Sequence, residues 1–173
     1  RPRAPFNITG VWAFREEQSH ADKYKANVWD FYPIPELTIK AKKVHEKYLE
    51  AQAAGIRYVD PVGHCYPPGM PNLMTRQGAF MAIQMPTAIY IVHRFNNSFR
   101  TIFLDGRAQT DENIRQQSYN GEAIGHWQAD KLVVDIEGFG SEKHWIQSGI
   151  PIGNQFRMRE RMRLINNGNT LVI

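Results

Sequence analysis

Ala88-Ile89-Tyr90-Ile91-Val92-His93-Arg94-Phe95-Asn96-Asn97-Ser98-Phe99-Arg100-Thr101-Ile102-Phe103-Leu104-Asp105 reads as two β-strands folded about a turn. β-Branched and aromatic residues fill both arms, and side chains on a strand alternate between its faces. Asn96-Asn97 separates the arms and tolerates the positive φ of a tight hairpin. That turn sets His93 opposite Arg100. One face then carries Ile89, Ile91, His93, Arg100, Ile102 and Leu104. The other carries Tyr90, Val92, Arg94, Phe99, Thr101, Phe103 and Asp105.

The same pattern recurs along the chain. Residues 122–128 and 131–137 flank Ala129-Asp130, and residues 156–165 and 170–173 flank Asn166-Asn167-Gly168. Residues 8–14 and 80–85 supply two further strands. Successive strands with short turns predict an antiparallel up-and-down sheet. Closing such a sheet into a small, lipocalin-like barrel removes its exposed edges. The fold class is therefore mostly β, as one domain spanning 1–173, with one amphipathic helix over about 36–54. In that helix Leu37, Ala41, Val44, Tyr48 and Ala51 draw one apolar stripe, and Gly55 stops it.

Alternation also picks out a site. In Phe156-Arg157-Met158-Arg159-Glu160-Arg161-Met162-Arg163-Leu164 the four arginines share one face, which must be wet. Glu160 is left on the apolar face, where an unpaired carboxylate is expensive. If the His93/Arg100 face is also interior, Glu160, Arg100 and His93 form a polar cluster inside the barrel. Such a trio can bind a polar group or move protons. The plainer alternative is a buried Glu160–Arg100 ion pair that fixes strand register. In the 122–137 hairpin, Trp127, Leu132, Val134 and Ile136 make the better apolar face, and Trp127 is a candidate ligand contact there. Asp135, His126 and Ile124 share the other face, with Val133 between them.

Composition bounds the rest. Hydrophobic residues make up 42% and charged residues 22% of 173 residues, which suits one globular domain with a real core. No apolar run approaches the roughly 20 residues of a membrane-spanning helix. Net charge is only +4, and the Lys40–Lys47 and Arg157–Arg163 clusters stand without a nucleic-acid motif, so they read as solvated faces. The single cysteine, Cys65, excludes an internal disulfide and a cysteine-based zinc site. The six histidines are scattered and form no ligand pair, so no metal is expected. Neither a nucleophile elbow nor a glycine-rich phosphate loop is present, and no cofactor is called for. The stretch Asp60–Met70-Pro71, dense in Pro and Gly, predicts a long specific loop, in which Cys65 beside His64 reads as an inert thiol. The Arg1-Pro2-Arg3-Ala4-Pro5 opening reads as a processed start. Thr170–Ile173 reads as a strand cut midway, with more chain beyond it.

A wider pattern joins these segments. It comprises Gly10-x-Trp12, Cys65-x-Pro67-Pro68-Gly69-Met70-Pro71, Ile83-Gln84-x-Pro86, Asp105-Gly106-Arg107 and Asn120-Gly121. It continues through Gly125-x-Trp127, Leu132-Val133-Val134-Asp135-x-x-Gly138-Phe139 and Glu160-Arg161. Over roughly residues 8–172 this resembles a large group of uncharacterised, usually exported bacterial proteins with a lipocalin-like (calycin-type) barrel. The resemblance implies a barrel core and a periplasmic or secreted location. It makes Arg100, Asp105, Arg107, Asn120, Asp135 and Glu160 the matching residues that could serve a site. The chain departs from the group at His93, where a carboxylate facing Arg100 is expected, and at His126, where a basic residue is usual.

Two functions follow as expectations. One is a cofactor-independent acid–base enzyme, of lyase or isomerase type, acting on a hydrophobic or aromatic small molecule. Glu160 or His93 would exchange the proton and Arg100 would steady negative charge. The loop carrying Tyr66 and Met70 would cover the barrel mouth. The other is a carrier or sensor that holds a hydrophobic ligand unchanged. A third expectation is a subunit of a larger bacterial assembly, with Trp29, Phe31 and Tyr32 at an interface. A homo-oligomer is compatible with each.

Overall fold

The computed structural model describes residues 4–13, 33–56, 59–75, 78–140 and 142–173. Phe14, the Arg1–Arg3 opening, and Trp29, Phe31 and Tyr32 lie outside the described residues. The chain forms two compact units. The first comprises residues 1–13, 78–139 and 155–173, and the second residues 14–77 and 140–154.

The first unit is a nearly closed, barrel-like sheet of eight strands. Its strands are β1 (Gly10–Ala13), β2 (Ala79–Gln84), β3 (Ala88–His93), β4 (Phe99–Phe103), β5 (Glu122–Gln128), β6 (Lys131–Glu137), β9 (Met158–Ile165) and β10 (Thr170–Val172). They lie in the order β1-β2-β3-β4-β5-β6-β9-β10. Every neighbouring pair except one is antiparallel. That exception departs from the expected up-and-down order. β4 and β5 run parallel, with Ile102 opposite Ala123 and Phe103 opposite Ile124. The long connection between Phe103 and Glu122 makes this possible, since a tight turn cannot join parallel neighbours.

Side chains anchor that connection. The Glu122 carboxylate accepts from the Thr110 N–H at 2.8 Å and its hydroxyl at 2.7 Å. Arg115 donates to the Thr110 carbonyl and to Glu137. Gly121 then turns the chain into β5. Its φ is +65°, and an added Cβ would lie 2.7 Å from Ile136 Cγ2 and 2.8 Å from the Glu137 carbonyl oxygen. Gly121→Ala is therefore expected to cost about 1–3 kcal/mol, from strain and a backbone clash. A lower urea midpoint at unchanged m-value would show it; an unchanged midpoint would mean that the turn relaxes freely.

The hairpins confirm the expected faces and correct one register. Ala129, Asn166 and Asn167 have positive φ, as their turns need, and Gln128 faces Lys131. Between β3 and β4 the loop is longer than Asn96-Asn97. A single helical turn (Phe95–Asn97) intervenes, and the His93 N–H donates to the Ser98 carbonyl at 2.8 Å. Arg100 consequently faces Ile91, not His93. The slip is two residues, so every side chain keeps its face.

The inner face carries the core. Ala82, Ile89, Ile91, Ile102, Ala123, Leu132, Val134, Ile136 and Met162 are all buried. β9 alternates as its sequence requires: Arg159, Arg161 and Arg163 are exposed, while Glu160 and Met162 are buried. Ahead of β1, Gln84 grips the chain. Its side chain accepts from the Ile8 N–H and donates to the Phe6 carbonyl, each at 3.0 Å.

The second unit holds helix α1 (Ile39–Ala53), a short helix α2 (Asn72–Thr75), and a hairpin of β7 (Trp145–Gln147) and β8 (Ile150–Pro151). Thr38 caps α1, its hydroxyl accepting from the Ala41 N–H at 3.2 Å, and Gly55 with φ +72° ends it. The predicted stripe is right, but its residues are only half-buried. Tyr48 meets Trp145 edge-on at 5.8 Å and crowds Gly149, where a Cβ would sit 2.6 Å from its ring.

Candidate functional site

Arg100 and Glu160 come from strands that are not neighbours. Between β4 and β9 lie β5 and β6, and Glu160 faces Val134, which faces Gly125. Gly125 leaves no room for a side chain: an added Cβ would meet Leu104 at 2.7 Å and Ile102 at 2.9 Å. The Arg100–Glu160 pair thus spans two intervening strands on the inner face. It is bidentate, with Arg100 Nη1 donating to Glu160 Oε1 at 3.1 Å and Nη2 donating to Oε2 at shorter range. Arg100 is 2% exposed and Glu160 6%.

His93 belongs to the same face. It is 5% exposed, sits opposite Phe80 on β2, and its ring lies 5.4 Å from the Phe80 ring. Burial, reinforced by the Arg100 charge, lowers its pKa to about 4. The imidazole is therefore neutral at physiological pH. Two buried polar atoms of this group have no hydrogen-bond partner among the described residues: Arg100 Nε and His93 Nε2. Phe80 escaped the sequence reading, although it shares the parity of Ala82 and Gln84 on β2.

The other candidates of this unit have partners of their own. Asp105 and Arg107 pair with each other after β4, with Arg107 Nη2 to Asp105 Oδ2 at 2.6 Å. The Arg107 guanidinium, foremost through its hydrogen bonds, holds the Asp105 carboxyl down to about 2, and it also stacks 3.9 Å over the Phe103 ring. The Asn120 side chain donates to the Phe99 carbonyl at 3.0 Å, tying the β5 entry to β4. Asp135 accepts from Arg159 Nε at 2.5 Å and lies on the outer face, where its neighbours Ile124, Val133 and His126 also stand. Trp127 is half-buried on the inner parity of β5 and meets Phe6 edge-on at 4.9 Å.

Tyr66 and Met70 belong to the second unit. Met70 is fully buried there, and its carbonyl lies 3.0 Å from Nε2 of the buried His144. The other ring nitrogen of His144 lies 2.9 Å from the Gly140 carbonyl. A neutral imidazole has one N–H, so it donates to one of the two at a time. Cys65 is an exposed free thiol. Among the described residues no three His, Cys, Asp or Glu side chains gather to hold a metal ion, and no helix is long and apolar enough to cross a membrane.

Chemically, the cluster offers one guanidinium N–H and one imidazole nitrogen within a greasy wall. Glu160 is less available, because each of its oxygens already accepts a bond from Arg100. Comparison with family models, curated proteins and solved structures finds no match to this chain.

Proposed function

We propose that the barrel unit binds an apolar small molecule on its inner face and holds it without changing it covalently. The supporting observation is the pair of buried, unpartnered polar atoms, Arg100 Nε and His93 Nε2, beside a satisfied ion pair. A buried donor without an acceptor costs about 1–3 kcal/mol, which a bound polar group recovers. Binding sites for small molecules have this make-up: mostly apolar walls with a few placed polar atoms. Acid–base turnover is the weaker reading. A general base must be free to take a proton, and an imidazole whose pKa lies near 4 is a poor base at neutral pH. The exported bacterial setting belongs to this proposal through the sequence resemblance alone.

N-Phenyl-1-naphthylamine, a neutral apolar fluorophore, tests the reading. Its emission is expected to rise and saturate at one probe per chain, while the methyl NMR signals of Ile89, Ile91 and Ile102 shift together. Absence of saturation, or saturation without those shifts, would remove the binding role.

A further inference from the structure

We infer that the molecule held beside Arg100 is electrically neutral and is anchored through an uncharged oxygen, a carbonyl on an otherwise apolar body. The inference rests on the binding role proposed above and names the ligand class for the same site.

Charge balance carries it. Arg100 and Glu160 are bidentate partners, so their opposite unit charges compensate each other in the interior. Around them Ile89, Ile91, Ile102, Val134 and Met162 are at most 1% exposed. In such surroundings charges are poorly screened. A ligand carboxylate would add a net negative charge near Glu160, and a ligand ammonium would repeat the charge of Arg100. Either would be buried without compensation. A plain hydrocarbon adds no charge but leaves Arg100 Nε and His93 Nε2 as they are.

A carbonyl oxygen meets both requirements. It brings no charge, and it has two lone pairs. One accepts the Arg100 Nε–H, and His93 Nε2 is a second unpartnered atom on the same inner face, a donor when the neutral imidazole carries its proton there. A hydroxyl could serve the opposite tautomer, accepting from Arg100 and donating to His93. It gives up both a donor and an acceptor on leaving water, so the carbonyl is the less costly group to bury.

An isosteric series separates these cases. The probes are 2-acetylnaphthalene, 1-(2-naphthyl)ethanol, 1-(2-naphthyl)ethylamine, 2-naphthoate and 2-ethylnaphthalene. Each competes with N-phenyl-1-naphthylamine for the unaltered protein at pH 7.5. 2-Acetylnaphthalene is expected to displace the fluorophore at concentrations about tenfold lower than the other four, the gain of one hydrogen bond from a charged donor. It is also expected to shift the Arg100 Nε–H resonance, which 2-ethylnaphthalene should leave in place. Tightest competition by the alcohol, amine or carboxylate overturns the inference. So does equal competition by 2-ethylnaphthalene, or displacement by none of the five. In each case a saturably bound fluorophore leaves the binding role standing. Failure of the fluorophore itself to bind removes both.

Discussion

Glu160→Leu is expected to lower the unfolding free energy by about 3–5 kcal/mol, because it leaves the Arg100 guanidinium charged and unpaired inside the sheet. Arg100 is 2% exposed, so water cannot stand in for the lost carboxylate. Arg100→Met should cost a similar amount by stranding Glu160. The double variant Arg100→Met/Glu160→Leu should recover most of either loss. Desolvating two charges consumes much of what their attraction returns, and well-packed apolar side chains do as well in the same space. Urea unfolding of the four proteins measures the cycle. Single variants that each cost under about 1 kcal/mol would have the energetics of a solvent-screened pair, contrary to the burial that the binding role requires.

That cycle bears on why this site could be read from sequence. A strand of alternating Arg and apolar residues has one workable orientation, so Glu160 had to face inward with Met158 and Met162. Strand parity also survives errors of register when they are even. The β3–β4 loop is longer than Asn96-Asn97, yet His93 and Arg100 keep their common face because the slip is two residues. What parity could not decide was which face of the 88–105 hairpin points in. Tyr90, Val92 and Phe99 make the opposite face equally apolar, and the structure leaves Tyr90 and Phe99 stacked at 5.9 Å and Phe99 55% exposed.

Other features depended on contacts distant in sequence. The parallel β4–β5 pair requires the 104–121 connection to be tied down by Arg115, Glu122 and Glu137. Nothing local in those residues announces their partners. Asp105, Arg107 and Asp135 belong to the wider motif pattern of the sequence, but their charges satisfy one another or Arg159 at the surface. Motif membership identified residues that hold the chain in place and did not separate them from those of the inner cluster. Met70, expected in a loop over the barrel mouth, is fully buried within the second unit.

Acid should weaken the fold through His93, and the direction follows from proton linkage. In the unfolded chain this imidazole titrates at its ordinary 6.5; in the folded protein burial and the Arg100 charge bring it to about 4. Between those values the unfolded state binds the proton and the folded state does not. Stability therefore rises with pH across this window and is lost as pH falls through it, by about 1.4 kcal/mol per unit and on the order of 3 kcal/mol in all. Above pH 6.5 the group is neutral in both states and contributes no slope. His144, whose pKa burial also lowers, acts in the same direction, whereas Asp105 titrates below the window at about 2. His93→Gln isolates the one group: its stability curve should be flatter than that of the unaltered protein between pH 4 and 6.5 and parallel to it above. Curves that stay parallel throughout would mean that His93 titrates as in the unfolded chain, contrary to its burial beside the Arg100 charge.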